Sequence, residues 1–100
     1  MPKVIVMYEQ PKDKEGFENY YFNHHTPLVD KVPHVASASV QKVLNTQNTD
    51  LQLYIVTEIG FEDKAGMKAA FSSSEWQEVT NDVPNLMPFL EKPPIIAVVD

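Results

Sequence analysis

Residues 3–31, KVIVMYEQPKDKEGFENYYFNHHTPLVDK, change their hydrophobic period once, and this change decides the fold. Lys3–Glu9 alternates as a β-strand does and has apolar side chains on both faces. From Asp13 onwards the spacing becomes helical, with one stripe formed by Phe17, Tyr20, Tyr21, His24 and Leu28. The stretch therefore predicts a strand followed by an amphipathic helix from Asp13 to about Lys31.

Two further strands are predicted downstream, at Val35–Leu44 and Leu51–Phe61. The polar residues between them favour a turn, so the two strands should form an antiparallel hairpin. In the second strand the odd positions form an apolar face that is broken by Thr57. The alternation places Tyr54 and Glu58 on the opposite face.

The last third of the chain predicts a second helix and a final strand. Asp63 can cap this helix, and Ser74 with Gln77 has the spacing of a capping box that starts a further turn. We therefore expect a break at the serines. The proline-rich residues 83–94, VPNLMPFLEKPP, are expected to form the connection to a strand at 95–99.

This order, strand-helix-strand-strand-helix-strand, predicts an α+β domain of the ferredoxin-like type. Residues 1–100 would form one domain, a four-stranded antiparallel sheet with both helices on one face. Because the first and last strands are apolar on both sides, the other face needs a cover. A second copy of the chain would supply it, so we expect a homodimer.

Composition excludes several functional classes. The chain has no cysteine, which excludes disulfides, thiolate nucleophiles and cysteine-ligated metals. It carries a net charge of -6, with eight lysines and no arginine, so nucleic-acid binding is not expected. The opening residues MPKVIVMYEQ contain too short an apolar run for a signal peptide or a membrane span, so a cytoplasmic protein is expected.

Residues 17–28, FENYYFNHHTPL, resemble the EthD family of dimeric α/β-barrel proteins through the signature His25-Thr26-Pro27-Leu28. The likeness continues through Val32-Pro33, the strand at 54–61 and Asp82–Asn85. The resemblance implies a cofactor-independent protein that acts on hydrophobic, often aromatic or polyketide-like compounds. Dehydration, isomerisation and related oxygenation are the reactions implied.

His25 is the first candidate for catalysis. On an ideal helix it lies at the edge of the apolar stripe, near Pro27, which removes a backbone hydrogen bond and favours a kink. Such a position suits a general acid or base, because histidine titrates near neutral pH. The alternative is that His25 only bonds a backbone carbonyl or fixes the kink.

Other side chains complete the expected site. The hydroxyl of Tyr21 or Tyr54 could hold the substrate oxygen, and Glu58 would face either the cavity or the dimer interface. Both tyrosines could equally belong to the core. The residues expected to contact the ligand are His24, Tyr20, Phe17, Leu28 and Asp82, with His24 near the middle of the buried stripe and Asp82 as an acceptor that fixes a loop.

Two functional classes therefore remain from the sequence. One is an enzyme that transfers a proton on a small hydrophobic molecule, without a cofactor. The other is a non-catalytic binding or accessory protein with the same cavity. Neither His24 nor His25 has a second ligand four residues along the helix, so no metal site is expected. Haem binding through a histidine has only a fold-level analogy in its favour.

Overall fold

The computed structural model describes residues 1–100 and has the predicted order of elements. The loop between the second and third strands is longer than the sequence predicts, because the second strand stops at Lys42 and the third begins at Leu53. The elements are β1 (Lys3–Glu9), α1 (Lys14–Tyr20), a π-helical turn (Tyr21–His25), α2 (Thr26–Val29), β2 (Val35–Lys42), β3 (Leu53–Phe61), α3 (Lys64–Phe71), α4 (Ser74–Leu86), a 3-10 turn (Met87–Phe89) and β4 (Ile95–Val99).

The four strands form one antiparallel sheet in the order β2-β3-β1-β4. At its centre Val6 pairs with Thr57 on one side and with Ile96 on the other. Buried positions alternate along β1 and β3, so one sheet face packs against the helices and the other does not. The ferredoxin-like α+β fold predicted from the sequence is confirmed.

A π-helical turn interrupts the first helix. Asp13 caps its start by accepting a hydrogen bond from the backbone of Gly16 at 3.0 Å. Farther on, the N–H of Thr26 bonds to the carbonyl of Tyr21, five residues back. This wider turn keeps residues spaced by four on one side of the helix, and Phe17, Tyr21, His25 and Val29 are all buried.

Because of this π-helical turn, His24 does not lie on the buried stripe where the sequence predicts it. An ideal helix would have placed His24 on the buried stripe, but its side chain is exposed and stacks on Tyr20, with ring centroids 5.0 Å apart. The extra residue in the turn rotates His25 inward in its place. The irregularity next to Pro27 is thus a widened turn rather than a simple kink.

The second helical region breaks at Ser72–Ser73, as predicted. Asp63 caps α3 through the backbone of Gly66 at 2.7 Å. The cap of α4 is Ser73, however, and not Ser74: its Oγ accepts from the backbone of Trp76 at 3.1 Å. None of the helices is long and apolar enough to cross a membrane.

Helix α4 also continues farther than the sequence predicts. It runs through Pro84 to Leu86, where a connecting segment was expected. Proline removes one backbone hydrogen bond, to the carbonyl of Thr80, and this residue lies at the surface. Buried Val79 and Leu86 hold the helix against the core on either side of the missing bond.

Between the sheet and the helices lie two clusters of buried side chains. One is mainly aliphatic and includes Val4, Val29 and Phe61. The other is aromatic, with Tyr8, Phe17 and Tyr21 packed at centroid distances of 5.2 to 5.3 Å. Burying side chains of this size stabilises the fold by about 1.5–3 kcal/mol each. The site described next lies where the two clusters meet.

Candidate functional site

A cavity of about 220 Å³ lies between the helix-bearing face of the sheet and the helices. Its wall is mostly apolar, with a few polar groups. A cavity of about 150 Å³ is enough to hold benzene, so this one has room for a single substituted ring. The lining residues are Val4, Val6, Tyr8, Tyr21, His25, Thr26, Val29, Asp30, Ala38, Ser39, Val40, Thr57, Ile59, Trp76, Val79, Thr80, Val83, Pro94 and Ile96.

His25 lines this cavity from the π-helical turn and is only 5% exposed. Its Nδ1 lies 2.8 Å from Oδ2 of Asp82 on α4. The bond joins residues 57 positions apart and ties the first helical region to the second. The structure therefore holds the imidazole ring in one orientation.

Asp82 is itself held by two further donors. The hydroxyl of Tyr20 bonds to its Oδ1 at 2.5 Å, and Nδ2 of Asn85 bonds to the same oxygen at 2.9 Å. Burial alone would raise the pKa of Asp82, but the hydrogen bonds from Tyr20, Asn85 and His25 outweigh it and lower that pKa below its ordinary value of 3.8. Asp82 is therefore a carboxylate at neutral pH and can only accept hydrogen bonds.

This fixes the tautomer of neutral His25. Because Asp82 can only accept, Nδ1 must carry the proton, and Nε2 is the unprotonated nitrogen. Nε2 bonds to no protein atom. Every buried side-chain nitrogen or oxygen of this protein has a hydrogen-bond partner, so an atom without a partner, such as Nε2, is not buried. Nε2 is therefore open to the cavity, where it can accept a proton from a ligand.

Two hydroxyl groups border the same cavity. Tyr21 and Thr57 are hydrogen-bonded to each other through their side-chain oxygens, and both line the wall. The rings of Tyr21 and His25 are stacked with centroids 5.6 Å apart. Burial raises the pKa of Tyr21 above 10.0, although its bonds with Thr57 and Tyr8 oppose that rise. Tyr21 thus keeps its proton at neutral pH.

All five of the expected ligand contacts lie outside the cavity wall. Tyr20 and Asp82 lie behind His25, and Asp82 is part of helix α4 rather than of a loop. Phe17 is fully buried in the aromatic cluster, and Leu28 packs against the aliphatic one. His24 is exposed, as described above. The structure therefore assigns these residues to support or packing.

Tyr54 and Glu58 both lie apart from His25. For Glu58 the sequence left two positions open, the cavity and the dimer interface. Glu58 is on the face of the sheet without helices, where it pairs with Lys3 at 3.3 Å. Tyr54 occupies the register shift of β3, at which β1 pairs Glu9 with Leu53. Its hydroxyl reaches Glu18 on α1, and burial together with this bond raises the pKa of Tyr54 to about 12. Neither side chain lines the cavity.

Sequence reasoning missed several wall residues, and one of them had a visible signal. Thr57 is the polar break in an otherwise apolar strand face, and the structure shows that it bonds to Tyr21. Trp76, the only tryptophan, lines the wall from α4. Asp30, the C-cap residue of α2, lines it from an exposed position. For Trp76 and Asp30 the sequence pattern gave no such signal.

Comparisons with known proteins identify the family of this chain. The model of the EthD domain matches residues 9–89, which include the π-helical turn, β3 and Asp82. An uncharacterized 11.0 kDa protein from the thcB-thcC intergenic region of Rhodococcus erythropolis is 32% identical over 85 residues, covering 85% of this chain and 82% of that protein.

Solved structures show the same fold. An ethyl tert-butyl ether D (EthD) family protein from Bacillus halodurans superposes with a TM-score of 0.85 at 28% identity, over 100% of this chain and 97% of that one. A protein from Jannaschia sp., described as a dimeric ferredoxin-like protein of unknown function, has a TM-score of 0.69 at 11% identity, over 100% and 99%. The domain match and the Rhodococcus relative together show that this chain belongs to the EthD family.

Proposed function

We propose that this protein is a cofactor-independent enzyme that moves a proton on a small hydrophobic carbonyl or phenolic compound. The observation that carries the proposal is the environment of His25. Its Nδ1 is fixed by a carboxylate at 2.8 Å, while its Nε2 opens into an apolar cavity. A cavity for passive binding needs no such pair of groups, and a general base needs both a free nitrogen and a fixed ring.

In the proposed reaction, Nε2 of neutral His25 removes a proton from a carbon next to the carbonyl group of the ligand. The electron pair of the broken C–H bond moves onto the carbonyl oxygen, to which the hydroxyl of Tyr21 or Thr57 donates a hydrogen bond. Asp82 stabilises the imidazolium ion that forms. Returning the proton to another carbon gives an isomer, whereas returning it to a neighbouring hydroxyl group that leaves as water gives a dehydrated product.

The apolar wall supports this chemistry. Most of the lining is aliphatic or aromatic, so a bound ligand would exclude water from around Nε2. Hydrogen bonds and charges act more strongly when water is excluded. Whichever hydroxyl of the Tyr21–Thr57 pair donates to the ligand would therefore stabilise a developing oxyanion more than it would in solution.

The sheet face without helices supports a homodimer as the form in which the enzyme works. Ile5, Met7, Val56 and Ala97 lie on this face and are only half-buried within one chain. A contiguous apolar sheet surface of this kind promotes association. Face-to-face packing of two copies would cover both surfaces at once.

Hydrogen exchange tests the proposed role of His25 without knowledge of the natural substrate. Acetophenone is a single ring with an acidic methyl group beside its carbonyl, and NMR in D₂O follows deuterium entering that group. The wild-type protein should accelerate this exchange over buffer. His25→Gln should lower the protein-catalysed rate by roughly 10²- to 10⁴-fold, with little change in melting temperature.

The matched control is His24→Gln, which changes the adjacent but exposed histidine and should keep the wild-type rate. Fluorescence of Trp76 on the cavity wall reports whether each variant still binds acetophenone. A wild-type rate no faster than buffer, or equal rates in wild type and His25→Gln, would contradict the proposal.

A further inference from the structure

The charges around the cavity limit the ligands that it can accept. Asp30 is the only acidic side chain in the lining of the cavity. None of the eight lysines lines the wall, and the chain contains no arginine. Lys31 follows Asp30 directly but is not part of the lining. An anionic ligand would therefore find no fixed positive partner in this cavity.

Two carboxylates, by contrast, lie at or near this cavity, one in its wall and one behind it. Asp82 lies directly behind the imidazole ring of His25, and Asp30 is on the rim, exposed and without an ion pair. A ligand carboxylate next to Nε2 would thus lie near Asp82 while it also passed Asp30. Like charges repel, and the low dielectric of an apolar wall strengthens the repulsion.

The location of Asp30 at the end of a helix strengthens its repulsion of an anionic ligand. It is the C-cap residue of α2, at the end where helix carbonyl groups already carry partial negative charge. Acidic residues are disfavoured at this end of a helix, so Asp30 does not serve helix stability. Other side chains on the polar part of the wall are Thr26, Ser39 and Thr80, which are uncharged.

We propose that Asp30 is a specificity-determining residue that makes the cavity selective for uncharged single-ring carbonyl or phenolic ligands and excludes their carboxylate analogues. This inference rests on the proposed function, because it concerns the same cavity. It narrows the substrate class to neutral compounds of about the size of a substituted benzene. It also implies that free carboxylic acids are neither good substrates nor good inhibitors.

Three probes that share one shape but differ in charge distinguish an effect of ligand charge from an effect of ligand size. Benzamide, benzoate and benzamidine share a ring and a planar substituent, and at pH 7.5 they are neutral, negative and positive. Affinity is measured through the fluorescence of Trp76 and checked by the shift in melting temperature. We expect wild-type protein to bind benzamide at least tenfold more tightly than benzoate.

Substitutions of Asp30 test whether its charge causes this difference in affinity. Asp30→Asn should strengthen the binding of benzoate towards that of benzamide and should weaken the binding of benzamidine. Desolvation alone does not change the affinities of the negative and the positive probe in opposite directions. Asp30→Lys should strengthen benzoate further. The control is Asp50→Asn, which removes the same charge from an exposed position outside the cavity and should leave the order of affinities unchanged.

The outcomes separate this inference from the proposed function. If benzoate binds wild type as tightly as benzamide, or if Asp30→Asn leaves their ratio unchanged, the selectivity inference is wrong and the ligand cavity stands. If none of the three probes binds to any variant, the ligand cavity itself is wrong, and the inference fails with it.

Discussion

At the scale of single residues, the chemistry depends on a contact that spans most of the chain. His25 is in the first helical region and Asp82 in the second, and the bond between them decides which imidazole nitrogen faces the cavity. The hydroxyl of Tyr20 and the amide of Asn85 keep the carboxylate ionised and fixed. In the proposed reaction Asp82 is therefore a positioning residue, since it would act on a ligand only through His25.

The substitution Asp82→Asn tests this role. The Asn amide group can donate to Nδ1 and so favour the tautomer with a proton on Nε2, which cannot act as a base. We expect the acetophenone exchange rate to fall by roughly 10²- to 10⁴-fold, as when the carboxylate partner of a catalytic histidine is removed.

Stability provides the second measurement for Asp82. Its pKa is lowered in the folded protein, so its contribution is fully present above the ordinary value of 3.8 and is lost as the pH falls through the folded pKa. Asp82→Asn should therefore cost about 1–3 kcal/mol at pH 7 and progressively less below pH 3.8. A wild-type exchange rate in a stable Asp82→Asn protein would contradict the positioning role.

How far single residues of the site can be predicted depends on sequence distance. His25 and Tyr21 could be selected because they lie on one helix, four residues apart. The partnership of His25 with Asp82 could not, because no local pattern encodes a contact across 57 positions. The position of Tyr54 and the choice between the two positions of Glu58 could not be predicted, because a register shift and the choice of sheet face are decided by tertiary packing.

At the scale of elements, the helices end and bend where side chains replace backbone hydrogen bonds. Ser73 is the clearest case, because its hydroxyl accepts from the backbone of Trp76 at 3.1 Å and donates to the carbonyl of Ala70 at 2.6 Å. One side chain thus ends α3 and begins α4. It also fixes the start of the helix that carries Trp76 and Asp82.

Replacing Ser73 by alanine should destabilise the protein by about 1 kcal/mol, because the first turn of α4 loses its cap. Ser74→Ala is the matched comparison, since Ser74 is exposed and its hydroxyl bonds only to the neighbouring Glu75. Its effect should lie within about 0.5 kcal/mol of zero. Urea denaturation of both variants measures the difference. The opposite order of effects would show that the cap is Ser74.

The types and order of the elements could be predicted from hydrophobic period alone, whereas their irregularities could not. The capping-box spacing from Ser74 to Gln77 suggested a cap one residue beyond the real one. The prolines suggested a connection where α4 continues through Pro84. In both places burial against the core outweighs the local preference of the sequence.

At the scale of the whole molecule, the two faces of the sheet differ in function. One face carries the helices and the cavity, with Thr57 and Val6 in its wall. The other presents Ile5, Met7 and Val56 without any cover from its own chain. The alternation of side chains along the strands predicts these two faces, since the residues of β1 that point to either face are apolar.

We expect sedimentation velocity to show a homodimer at micromolar concentration, and Met7→Glu to shift it towards monomer. Met7 lies between Val56 and Ile95 on the face without helices, so a carboxylate there would be buried between two copies without a partner. Asn45→Glu adds the same charge in an exposed loop and should leave the dimer intact. A well-folded wild-type monomer would contradict the proposed dimer.

The π-helical turn also has a consequence for how this domain can change length during evolution. A turn closed across five residues holds one more residue than the α-helical turn it replaces. Deleting one residue from 22–24 would let an ordinary helix form between the same end points, so neighbouring strands would not have to move. Such a shortened descendant would keep its architecture, so this turn is a place where the domain can lose one residue without losing its fold.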